Sequence, residues 1–162
     1  MVMFDLSWNL AASFGGGAAK THLDRLEKIQ HKFLIWLASV STRNSASLAY
    51  NDLLTLFKIT SLANRIIQYD ILFAHKILSG KIYSALLLSS FALRVPSRNT
   101  RAMTRGLLHV PFGRADCIRR GLFCRSANNF NSYLAVCPES DTSNCSFGRL
   151  RSLTRCYVMQ LP

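Results

Sequence analysis

Beyond Lys81 the chain has no lysine at all. Eleven basic residues follow position 92, every one an arginine, and only Asp116, Glu139 and Asp141 oppose them, so residues 93–162 carry a net +8 of the total +12. Charge is scarce overall, at 17% Asp, Glu, Lys and Arg against about 25% in ordinary domains. Much of the surface is therefore apolar or weakly polar. Short cysteine spacings are missing too. Cys117, Cys124, Cys137, Cys145 and Cys156 are separated by six, twelve, seven and ten residues, which excludes the close pairs of a zinc knuckle or ribbon. Their odd number and the lack of a secretory signal argue against a disulfide framework, so the thiols are expected to be reduced and incidental. The first nineteen residues are apolar but lack a basic leading segment and contain Asp5, which argues against a cleavable signal. The longest apolar stretches are cut by Lys32, Asp70, Lys76 or Arg94, so no membrane span is expected.

The arginines that are present have a specific chemistry. A guanidinium offers a planar fork of donors that meets a phosphate or a guanine edge in a bidentate way, whereas an ammonium acts as a point charge. The tail's surplus points to a polyanion, with Arg94, Arg98, Arg101, Arg105, Arg114, Arg119, Arg120 and Arg125 as candidate nucleic-acid contacts. The first four are spaced by four, three and four, which aligns them on one face of a short helix. Phe112, Phe123, Phe130 and Tyr133 are interleaved as potential stacking partners for bases.

Catalytic signatures are weak. Gly15-Gly16-Gly17-Ala18-Ala19-Lys20-Thr21 has the glycine-rich turn and Lys-Thr of a phosphate-binding loop, but Phe14 and Ala19 stand where that motif requires glycine. His22, His31, His75 and His109 form no metal-ligand spacing, and no carboxylate pair suits acid–base work. No metal, cofactor or catalytic residue is assigned.

The expected fold is mainly α, a small three-helix unit followed by an irregular arginine-rich tail. The division is residues 1–19, poorly defined; 20–92, helical; and 93–162, basic. Leu23, Leu26, Ile29, Phe33, Trp36, Leu37 and Val40 recur at helical steps and predict a helix over 21–40. Thr21 and Asp24 suit its N-terminal cap. A shorter helix is predicted over about 47–57 and a third from Leu62 to Leu78, opened by Ser61 and ended by a left-handed Gly80. Beyond Leu88, Pro96, Pro111 and Pro138 break the periodicity, and the Asn128–Asn131 cluster predicts turns or extended chain.

Several phrases then fall into a familiar order. Residues 23–36, Leu-Asp-Arg-Leu-Glu-Lys-Ile-Gln-His-Lys-Phe-Leu-Ile-Trp, resemble a helix near the C-terminal end of non-LTR retrotransposon reverse transcriptases, beyond the polymerase site. Tyr50, Leu62 to Arg65, the phrase from Ala74 to Ile82, and Leu93-Arg94-Val95-Pro96-Ser97-Arg98-Asn99-Thr100-Arg101 follow in the family's order. His109-Val110-Pro111-Phe112, Arg114, Asp116, Gly121 to Arg125 and Phe130-Asn131-Ser132 continue it. The resemblance covers about residues 20 to 135, and elements of the jockey and chicken-repeat kind come closest. It implies a thumb to post-thumb fragment that contacts RNA or the DNA backbone, partners the missing upstream reverse transcriptase domains, and resides in cytoplasm or nucleus. The family's polymerase turn carries an Asp-Asp pair, which this sequence lacks, so the fragment is expected to be non-catalytic. A transposon-derived relic or interaction protein without retained activity is the alternative, and a nucleotide hydrolase built on Lys20 and Thr21 is a third.

Overall fold

A computed structural model describes residues 20–41, 48–93, 107–110, 121–137 and 145–161. Among these the protein is mainly helical, with six helices: α1 (Lys20–Ser41), α2 (Tyr50–Leu56), α3 (Leu62–Leu78), α4 (Ala85–Ser89), α5 (Leu122–Val136) and α6 (Phe147–Met159). The described residues fall into two compact units, one over 20–65 and one over 66–161.

In the first unit α1 begins at Lys20, so Thr21 stands inside the helix rather than at its cap. Its buried seam is Leu34 and Ala38, packed with Leu53 of α2 and flanked by Tyr50, Leu54, Phe57 and Ile59. Polar groups extend that seam. The Tyr50 hydroxyl donates to Glu27 Oε1 at 3.0 Å, and Gln30 Nε2 donates to Tyr50 Oη at 3.3 Å and to the Thr60 carbonyl at 3.4 Å. Most of the larger apolar set marked by the periodicity lies away from this seam: Leu26, Ile29, Phe33, Trp36 and Val40 are exposed. Two apolar sets occupy α1, and α2 takes the one that contains the small Ala38 and the hydrogen-bonding Glu27 and Gln30.

The end of α2 is closed by its own backbone. Lys58 adopts φ 53°, its N–H reaches the Thr55 carbonyl at 3.2 Å, and Ile59 N–H reaches that of Leu54 at 2.9 Å. This 5→2 and 6→1 pair, with Leu54 and Ile59 both apolar, is a Schellman closure.

Helix α3 opens as expected, with Ser61 Oγ accepting from Asn64 N–H at 3.2 Å, and ends before Gly80 at φ 68°. In the second unit it is buried without interruption from Asp70 to His75. A helix covered on all sides is a central one. Ile71, Leu72, Phe73, Ala74 and Ile77 of α3 share one core with Phe91, Leu108, residues of α5 and Leu150 of α6. Phe91 lies edge-on to Phe73 at 6.3 Å and to Phe123 at 5.5 Å.

The described tail is not irregular, because α5 and α6 occupy most of it. Asn128–Asn131 lies in mid-helix, where local propensity favours turns. Cys124, Ala127, Phe130 and Tyr133, each three apart, bury one stripe of α5, and tertiary partners use the asparagines. Asn131 donates Nδ2 to the Leu108 carbonyl at 2.8 Å and accepts the Leu108 N–H on Oδ1 at 3.0 Å. This brackets the buried Leu108, whose neighbour His109 donates its N–H to the Ala92 carbonyl at 2.8 Å. Helix α6 starts at Ser146, whose Oγ accepts from Arg149 N–H at 3.4 Å, and Tyr157 meets Tyr133 edge-on at 5.4 Å.

Candidate nucleic-acid interface

The sequence nominated eight arginines. Arg94, Arg98, Arg101, Arg105, Arg114, Arg119 and Arg120 lie outside the described residues. The eighth, Arg125, is in the first turn of α5 and faces the interior: Nε donates to Asp70 Oδ2 at 2.6 Å and Nη2 to Oδ1 at 3.1 Å. Asn129, one turn later, adds a 2.9 Å bond to Oδ2. The side chain of Asp70 is 0% exposed and that of Arg125 16%. This bidentate fork is the one a guanidinium offers a phosphate, here occupied by a carboxylate of α3.

Burial pushes the Asp70 carboxyl above its ordinary range, while the Arg125 pair and the bond from Asn129 pull it back. A buried charge of this kind needs its partner, since breaking such a pair leaves an uncompensated ion in a poorly solvating interior.

The clasp also takes a carboxylate away from the surface of the unit. From Ile66 to Leu161 the only Asp or Glu among the described residues is Asp70, and it is sealed inside. What the described residues present outward is basic. Lys81, Arg149, Arg151 and Arg155 are exposed and Lys76 is half-buried. Lys76 Nζ and Lys81 Nζ stand 4.7 and 5.0 Å from the centroid of the Phe147 ring, a cation–π arrangement that brings two ammonium groups to the start of α6. Further along, Arg151 and Arg155 are four residues apart, which places them on the same side of α6. Gln68 Nε2 donates to the Arg151 carbonyl at 3.2 Å and anchors that turn to α3.

The arginines of α6 were visible as part of the tail's surplus but were not singled out. The signal that would have found them is the Ser146 cap followed by Leu150, Thr154 and Val158 at steps of four, which are the buried positions of this helix.

The four described cysteines, Cys124, Cys137, Cys145 and Cys156, are free thiols. Among the described residues no group of three His, Cys, Asp or Glu side chains is placed to hold a metal ion, and no helix is long and apolar enough to cross a membrane. In comparisons with family models, curated proteins and solved structures, nothing matches this chain.

Proposed function

We propose that this chain is a non-catalytic C-terminal portion of a non-LTR retrotransposon reverse transcriptase and that its second unit binds the backbone of RNA or DNA. The observation that carries the binding reading is the interior location of Asp70. With the one described carboxylate of this unit held by Arg125, nothing acidic among its described residues competes with a phosphate for Lys81, Arg149 and Arg151. The ordered phrases between residues 20 and 135 supply the family, and the arginines from Arg94 to Arg120 extend the same charge along the chain.

Contacts of this type neutralise phosphates and release counterions, with little readout of base sequence. Arginines on a helix suit a double-stranded backbone, and the 2′-hydroxyl offers further acceptors where the partner is RNA. The test is binding of the full chain to duplex DNA, RNA and an RNA–DNA hybrid, with Arg149, Arg151 and Arg155 changed together to glutamine. The variant is expected to bind more weakly and to flatten the duplex salt slope by about 0.9 for each phosphate it no longer neutralises. An unchanged slope in a variant of unchanged helicity would remove α6 from the interface.

A further inference from the structure

Five of the six large apolar residues that α1 leaves exposed form an ordered surface. Leu26, Ile29, Phe33, Trp36 and Val40 follow one another at steps of three, four, three and four and are 52, 62, 55, 59 and 69% exposed. That alternation is the seam by which one helix packs on another. It runs for about 21 Å at 1.5 Å per residue. The Phe33 and Trp36 rings lie 5.9 Å apart, tilted by 35°, and form its apolar centre.

The border of the seam is charged on one side. Arg25 and Lys32 each directly precede a seam residue, Leu26 and Phe33, and Lys28 lies further round the same side; all three are exposed. Asp24, four residues before Lys28, is placed to temper that lysine, but no acid of α1 borders the seam beside Arg25 and Lys32. Asp24 falls about 150° around the helix from the seam's centre at 3.6 residues per turn, and Glu27 faces α2, where it accepts the Tyr50 hydroxyl. The opposite border, Gln30 and Leu37, is half-buried.

From this we infer that α1 is a docking surface for an amphipathic helix of another protein, one with an apolar stripe bordered by aspartate or glutamate. The apolar stripe supplies most of the attraction, because it removes five large side chains from water. The basic border selects the partner and its direction, since like charges placed there are repelled. A second copy of this chain is a poor occupant. Each copy carries +12, and antiparallel pairing of the seam would bring Lys32 toward its own counterpart. The inference is carried by the first unit alone and does not depend on nucleic-acid binding by the second.

The test uses the full chain in a Trp8→Phe background, so that Trp36 is its sole tryptophan. The probe is a synthetic amphipathic peptide of about four turns, with leucine at the seam positions and glutamate beside them. A second peptide has lysine in place of glutamate. The expected result is a saturable blue shift of Trp36 emission with the glutamate peptide and binding at least about tenfold weaker with the lysine peptide. Ile29→Ser with Phe33→Ser should abolish the shift while circular dichroism stays unchanged. Arg25→Glu with Lys32→Glu should invert the preference, so that the lysine peptide binds the tighter. Equal binding of both peptides, or no inversion in the charge-reversed variant, would overturn the inference. So would a blue shift that follows chain concentration without peptide, which assigns the seam to a second copy. A shift on anionic phospholipid vesicles with none from either peptide assigns it to a lipid surface and overturns it equally.

Discussion

Changing Arg125 to methionine retains much of the side chain's volume at the start of α5 but leaves the Asp70 carboxylate buried with only its other hydrogen bonds, including that from Asn129. Removing one partner of such a pair costs about 3–5 kcal/mol, measurable as a lower denaturation midpoint. The pH dependence has a definite sign. Burial already raises the Asp70 carboxyl, and Arg125 opposes that rise; without Arg125 it rises further. A carboxyl whose folded value exceeds its unfolded one favours the folded state below the unfolded value, and that contribution is lost as pH climbs through the raised one. The Arg125→Met variant is therefore expected to lose more stability at pH 8 than at pH 5. Equal losses at both would contradict the role assigned to the clasp. Tyr50 behaves similarly at the alkaline end: burial and its bond to Glu27 push the phenol up to about 12. The contribution of its proton is complete below pH 10 and falls away toward pH 12. In Tyr50→Phe that alkaline loss should disappear, with a cost of about 1 kcal/mol at neutral pH for the missing hydrogen bond.

Individual elements show which parts of the fold could be read in advance. Helix α3 was legible to the residue, because Ser61 and Gly80 mark its ends by local chemistry. Gly80 has no neighbour within 4 Å of an added Cβ, so Gly80→Ala should cost about 1 kcal/mol from its left-handed backbone alone, checked by thermal denaturation. Helix α5 was not legible. Asn128, Asn129 and Asn131 read as a turn because their helical role depends on distant partners, Asp70 for Asn129 and Leu108 for Asn131. Asn131→Ala strips both polar groups of the buried Leu108 of their side-chain partner and should cost about 1–3 kcal/mol. On α1 the periodicity gave the helix but not the face that α2 covers. Large apolar residues mark the exposed seam, while the buried one relies on Leu34, Ala38 and polar groups that only α2 makes sense of. The pairing of Arg125 with Asp70 was equally hidden, since charge counting cannot separate an interior arginine from a surface one.

At the scale of the whole molecule, the surplus of +12 and its placement are the dominant facts. The described second unit buries its single carboxylate and exposes lysine and arginine, and the sequence adds seven further arginines between Arg94 and Arg120. Such a surface repels itself and attracts polyanions. Its affinity for a nucleic acid should come from counterion release and should vary little with base sequence. The most direct measurement is the affinity of the full chain for duplex DNA across a salt series, repeated with Arg94, Arg98, Arg101 and Arg105 changed to alanine. With about five phosphates neutralised, the slope of log K against log salt should be roughly −4.5 and should flatten in the variant. A steep slope that the variant shares would remove these four arginines from the interface, and a slope near zero in the parent chain would contradict a nucleic-acid surface altogether.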